Sequence, residues 1–202
     1  MKRTVTKALC FGLIVSIVFS ALYFSAECKT ISDSVLRLHI LANSDSADDQ
    51  ALKLKVRDEI LKKSGELLAT ASTKEEAEQL TAQQMQAIVD DAQAYVYSQG
   101  YDYPVTASLL NMPFNTRIYG DIAMPAGNYD ALRITIGEGK GHNWWCVMFP
   151  PICLPAAEEK QELSDVLDDE QLQIVENKPQ YEIKFKFVEI YESIVHFFTG
   201  EK

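Results

Sequence analysis

The N-terminal end constrains this chain more than any other feature. Lys2, Arg3 and Lys7 precede Ala8–Phe24, "ALCFGLIVSIVFSALYF", an unbroken run of apolar and small residues. A basic start followed by such a run marks export or membrane anchoring. Its length lies between the core of a signal peptide and the roughly 20 residues of a spanning helix. A cut after Ala26 would put Phe24 at the −3 position, and a cut after Ser25 would put Tyr23 there, where a small residue is preferred. Residues 1–26 therefore read as a signal peptide or as a membrane tether through residues 8–24. Cys28 follows Glu27, which is not the small residue a lipobox needs. In either reading the basic start stays in the cytoplasm and the rest is extracytoplasmic, secreted or membrane-anchored.

Export decides how the cysteines are read. Of the four, Cys10 lies inside the apolar run. Cys28, Cys146 and Cys153 reach an oxidising compartment, where pairing is favoured. Cys146 and Cys153 are the natural disulfide. Cys28 is left over, as a free thiol, as part of a membrane-proximal stalk, or as a link between two chains. The formal net charge is −10, and because Lys2, Arg3 and Lys7 precede the apolar run, the remainder is more acidic still. Phosphate neutralisation needs a basic face, so nucleic acid is not an expected partner.

The polar stretch 27–34 reads as a connector and 35–202 as one exported domain. "VLRLHILA", Val35–Ala42, alternates: Leu36, Leu38 and Ile40 share one face, Arg37, His39 and Leu41 the other. That is a strand. Ser46 and Asp49 form a capping box, and Asp48 and Asp49 suit the positive end of a helix dipole. Leu52, Val56 and Ile60 then predict an amphipathic helix from Ala47 to about Ser64, closed near Gly65. Thr73 and Glu76 open a second, long helix to about Ser98, with Ala77, Leu80, Ile88, Ala92 and Tyr95 on its inner face. After Pro104, "VTASLLNM" and "FNTRIYG" read as strand or edge material broken by Pro113. A turn at 125–128 precedes a strand at 131–136, and 143–149 is a further strand ended by Pro150 and Pro151. An acidic helical segment spans about 157–169, and the tail "YEIKFKFVEIYESIVHFF" is read mostly as helix. The order predicts an α+β fold: a single domain with a largely antiparallel sheet and helices on one face, preceded by the signal or anchor helix.

The densest cluster of chemical groups is "GEGKGHNWWCVMFPPIC", Gly137 to Cys153. The glycines do not match the Walker pattern, and the dinucleotide fingerprint would need its third glycine one residue later. They read as a hairpin turn that exploits positive φ. No nucleotide or other cofactor is implied, and no small-molecule substrate. His39, His142 and His196 have no paired ligand spacing, so no metal site is expected. Asp45, Asp48 and Asp49 lack calcium-loop spacing. Cys146 with His142 is the one arrangement that suggests an enzyme, an exported hydrolase or thiol enzyme, and a bridged Cys146 would have no thiolate to offer. Trp144 and Trp145 point to opposite faces of a strand: either one fills the core and the other is an exposed contact anchor, or both faces are covered by helices.

Two blocks carry a family resemblance. "LRLHILANSDSADDQALKLKVRDEIL" (Leu36–Leu61) and "MPAGNYDALRITIGEGKGHNWWCVMFPPIC" (Met124–Cys153), with the basic and apolar N-terminus, closely resemble stage II sporulation protein R. The resemblance covers most of Leu36–Cys153; the acidic segment and the tail match in character only. It implies a non-enzymatic, exported signalling protein of endospore-forming bacteria, made in the forespore and sent into the space between the forespore and mother-cell membranes. Its implied partner is a membrane-embedded aspartic protease on the mother-cell side, which processes the sigma-E precursor. No catalytic residues carry over from the family. The turn holding Asn43 and Asp45, and the turn holding Gly139, His142, Trp144 and Trp145, are the candidates for partner recognition.

Overall fold

The structure, a computed structural model, describes residues 2–68, 70–152, 166–176, 181, 184–191 and 193. They fall into two compact units. One comprises Asp33–Met112 and Tyr129–Asp168, the other Met1–Ser32, Pro113–Asn128 and Asp169–Lys202.

The first unit is built on a four-stranded sheet. Its strands are β1 (Leu36–Leu41), β2 (Val105–Phe114), β5 (Gly127–Ile136) and β6 (Asn143–Phe149), in the order β2-β5-β1-β6. β1 pairs in parallel with β5, placing Ile40 opposite Ile134 and His39 opposite Arg133. It pairs antiparallel with β6, placing Ile40 opposite Trp144 and His39 opposite Trp145. The α+β class is as expected, and the sheet is mixed at its centre. β1 has a strand on each side, and all six of its residues are buried, Arg37 and His39 included. The alternation read from its sequence is real, but both faces are covered.

The topology corrects one expectation. β5 and β6 are consecutive in sequence yet are not neighbours, because β1 lies between them. Residues 137–142 are therefore not a hairpin turn. They cross over the C-terminal end of β1.

Three helices complete this unit: α2 (Ala47–Leu68), α3 (Lys74–Gln83) and α4 (Met85–Ser98). The start of α2 is the predicted one, with Asp49 N–H donating to Ser46 Oγ at 3.1 Å. It runs on past Gly65, because Leu61 and Leu68 continue its buried stripe. That burial outweighs the roughly 1 kcal/mol an interior glycine costs. The Thr73 cap is also as predicted: its side chain accepts from Glu76 N–H. The single long helix expected from there is two, broken at Gln84. Neither Gly nor Pro marks the break, but the buried Thr81 hydroxyl donates to the Ala77 carbonyl at 2.7 Å, a back-bond that bends helices. β2 runs through Pro113, which the edge position of the strand permits.

The second unit contains α1 (Lys2–Asp33), the short hairpin of β3 (Arg117–Tyr119) and β4 (Ile122–Met124), and α5 (Asp169–Glu176). Residues 27–33, expected as a polar connector, extend α1 and bury Cys28 and Ile31. The described tail residues, 181, 184–191 and 193, are helical as predicted. The acidic segment expected as helix lies largely outside the described residues.

Candidate functional site

The two sequence blocks meet at one end of the sheet. β1 ends at Leu41 and the chain turns through residues 42–46 into α2. The 137–142 loop lies across that turn and is hydrogen-bonded to it throughout. Gly141 N–H donates to the Ala42 carbonyl at 2.9 Å and Lys140 N–H to the Asn43 carbonyl at 3.2 Å. Glu138 N–H donates to Asn43 Oδ1 at 3.0 Å, and His142 N–H to Asp45 Oδ1 at 2.5 Å. The same Asp45 oxygen contacts His142 Nδ1.

This crossing explains the glycines better than a hairpin would. Gly137 and Gly139 have positive φ, at 61° and 62°. A Cβ on Gly137 would lie 2.3 Å from Asn43 Oδ1, and one on Gly141 would lie 2.1 Å from the Ser44 carbonyl oxygen. Gly139 would meet Thr135 at 2.6 Å. Gly141 runs against backbone, while Gly137 and Gly139 run against the Asn43 and Thr135 side chains, and a further side chain has no room.

Beneath the crossing lies Asp49, which is buried. Its carboxylate accepts from Asn43 Nδ2 at 2.9 Å and from Ser44 Oγ at 2.5 Å. Burial opposes its ionisation, but hydrogen bonds from Ser44, Asn43 and Tyr103 outweigh burial and hold it below the ordinary carboxylate range. Lys53 is also buried, one turn along α2. Its ammonium donates to Gln50 Oε1 at 2.6 Å and to the His142 carbonyl at 2.8 Å. Burial lowers its pKa, with the Asp45 charge opposing and Arg57 adding to the fall. The loop is thus fastened by backbone bonds above and by a buried cation below.

Asn43 and Gly139 are half-buried inside the crossing, whereas Asp45 and His142 are exposed on its rim. Trp144 and Trp145 take opposite faces of β6 as predicted, but both are half-buried. Trp144 lies under the guanidinium of Arg57, 4.9 Å from ring centroid to Cζ. Trp145 stacks on His39, with centroids 3.8 Å apart and rings 3° from parallel. Burial pushes the His39 pKa down to about 4, aided by the charge of Arg133 and opposed by a contact with Asn143. Trp145 and His39 hold the sheet together, and Trp144 belongs to the accessible rim.

Cys146 is fully buried and disulfide-bonded; Cys153, its expected partner, lies outside the described residues. Cys10 and Cys28 are not disulfide-bonded. A bonded Cys146 has no thiolate to set beside His142, whose own Nδ1 faces Asp45. Among the described residues, no three His, Cys, Asp or Glu side chains gather to hold a metal ion. Arg37 is fully buried, with Nε donating to the Cys146 carbonyl at 3.2 Å and the guanidinium 4.8 Å over the Tyr129 ring.

The sequence reading missed Ser44, Asp49 and Lys53 as members of this site. Asp49 was read only as a helix-start residue, and no local pattern shows that its carboxylate turns back to Asn43.

One family model covers this part of the chain. The model of that family, described as "Stage II sporulation protein R (spore_II_R)", matches residues 32–159, which include both blocks, the crossing and the whole of α2 to β6. The chain belongs to the stage II sporulation protein R family. Stage II sporulation protein R of Bacillus subtilis (strain 168) is 38% identical over 123 residues, 61% of this chain and 55% of that protein. The chain spans about half the length of the curated relative it matches. No solved structure gives a significant match. Membership in the stage II sporulation protein R family gives the chain a role in sporulation. The apolar α1, the one described helix long and apolar enough to cross a membrane, fits a signal or an anchor.

Proposed function

We propose that this chain is an exported sporulation signal that activates a membrane-embedded aspartic protease. The protease then processes the sigma-E precursor in the mother cell. The signal acts from the space between the forespore and mother-cell membranes. It binds through the crossing of residues 43–45 and 137–144 and carries out no chemistry of its own. The observation that carries this reading is that crossing. The strongest sequence blocks of the family converge on one rigid rim with exposed His142 and Asp45 and an accessible Trp144. A ligand shifts a receptor only if it prefers the active conformation, and a rim fixed in advance loses little freedom on binding. The disulfide from Cys146 to Cys153 belongs to this proposal as a clamp at the far end of β6.

The test is reconstitution in a bacterium that makes none of the three proteins. The chain is co-expressed with the cognate protease and the sigma-E precursor, and cleavage of the precursor is followed. The double variant His142→Ala, Trp144→Ala removes rim side chains and keeps every backbone bond of the crossing. It is expected to be exported and folded normally but to lose precursor cleavage. Cleavage at the wild-type level would remove this rim as the recognition surface. Absence of cleavage with the wild-type chain would refute the activator role itself.

A further inference from the structure

We infer that α1 is a retained membrane anchor whose last third is part of the folded protein, and that the stripe Phe187, Ile190 and Tyr191 lies on the same bilayer surface. A signal peptide separates cleanly because the fold does not need it. Here the cut positions, after Ser25 or Ala26, fall inside an uninterrupted helix from Lys2 to Asp33. The residues just before them are engaged in the fold. Phe24 is buried, stacked on Tyr181 with ring centroids 5.6 Å apart and planes within 5°. It also meets Phe185 at 5.7 Å, and the Lys184 ammonium lies 5.2 Å over its ring. Tyr23 donates its hydroxyl to Glu170 at 2.8 Å. Just after the cut positions, Cys28 and Ile31 are buried. Cleavage would strip Phe24 from Tyr181 and Phe185 and break the helix between the buried Phe24 and Cys28.

The first two-thirds of α1 behave in the opposite way. Its apolar window has a mean hydropathy of 2.2, and only 6% of that window is buried. Leu13, Ile17 and Phe19 are all at least 60% exposed. A soluble surface does not carry such a column, and a bilayer covers it. Beside the same part of α1 lie Phe187 and Tyr191, which with Ser16–Ser25 residues line one groove. Phe187, Ile190 and Tyr191 are exposed at i, i+3 and i+4 spacing, so they form one stripe. Glu189, which would repel anionic headgroups, is paired with Lys186 at 2.8 Å. Lys184 and Lys186 place positive charge near the headgroups, as interfacial helices do. The lipid surface is therefore the partner, and the protein acts as a tethered ligand. This inference stands independently of the receptor proposed above.

The test uses the full chain exported by a bacterial host. The folded protein is expected in the membrane fraction, resistant to carbonate extraction, and to yield peptides from residues 2–24. A soluble chain beginning at Ala26 or Glu27 would overturn the anchor. The variant Phe24→Ala installs a small residue at −3 and removes the stacked ring, and is expected to convert the membrane form into a released, cleaved one with a lower Tm. For the stripe, Tyr191→Cys in a Cys10→Ser, Cys28→Ser background, which removes both unbridged thiols, is placed in phosphatidylethanolamine–phosphatidylglycerol vesicles and treated with a membrane-impermeant maleimide. Labelling is expected to be at least tenfold slower than after unfolding in SDS. Equal labelling before and after unfolding would overturn the placement of the stripe.

Discussion

Gly141 passes so close to Ser44 that a Cβ on the glycine would lie 2.1 Å from the Ser44 carbonyl oxygen. The neighbour is backbone, fixed between β1 and α2, and has no side-chain freedom with which to yield. Gly141→Ala should therefore destabilise the protein by about 3 kcal/mol, the upper range for overpacking. Gly100→Ala is the control. Its φ is +83° but nothing lies within 4 Å, so only backbone strain of about 1–2 kcal/mol applies. Urea denaturation of both variants checks the order. A smaller loss for Gly141→Ala than for Gly100→Ala would show that the crossing is looser than its geometry.

Lys53 fastens the loop from below through the His142 carbonyl. Lys53→Met keeps the apolar stem and removes the donor, leaving that carbonyl without this bond. The expected loss is about 1–3 kcal/mol. The more telling measurement is amide exchange: residues 140–144 should lose protection while β1 keeps its own. Uniform loss across the sheet would mean that Lys53 supports the core and not the loop.

How much of this was legible in the sequence follows from the range of each interaction. The start of α2 at Ser46 and that of α3 at Thr73 are set by side chains within three residues, and both were readable. So was β6, whose bounds are marked by a glycine-rich loop and two prolines. The crossing was not readable, because it depends on β1 inserting between β5 and β6. Consecutive strands are usually neighbours, so a glycine-rich link between two strands reads as a hairpin. The break at Gln84 has no Gly or Pro, and only the Thr81 back-bond marks it. For the site, Asn43, Asp45, Gly139 and His142 came from the two sequence blocks, while Asp49 and Lys53 contribute through contacts that no local pattern encodes.

The cysteines give a prediction that separates a binding protein from a thiol enzyme. Unfolded without reductant, the chain should expose only Cys10 and Cys28 to alkylation, the two cysteines outside a disulfide. After reduction all four should react. The proposed clamp from Cys146 to Cys153 would close a short loop and contribute roughly 2–3 kcal/mol by restricting the unfolded chain. Reduction should lower Tm accordingly. Rapid alkylation of Cys146 in the native, unreduced protein would instead restore the thiol and imidazole reading.

His39 should make stability depend on pH in a narrow window. It is buried, stacked on Trp145, opposite Arg133 in the adjacent strand, and near Asn143. In the folded state its pKa is about 4, against 6.5 for the ordinary side chain. Above pH 6.5 both states are neutral at this residue and its contribution is fully present. Between pH 6.5 and 4 the unfolded chain binds a proton that the folded chain refuses, so stability falls as pH falls. Below pH 4 both states are protonated and the slope from His39 ends. The total is on the order of 3 kcal/mol, at about 1.4 kcal/mol for each unit of pKa. Asp49 acts in a different window: its carboxylate is held below its ordinary 3.8, so its contribution is lost only in more acidic solution. His39→Phe keeps an aromatic ring for Trp145 to stack on and removes the titration. Denaturation midpoints at pH 7.5, 5.5 and 4.5 should fall steadily for the wild type and much less for His39→Phe. Parallel pH profiles for the two proteins would show that His39 is not the group responsible.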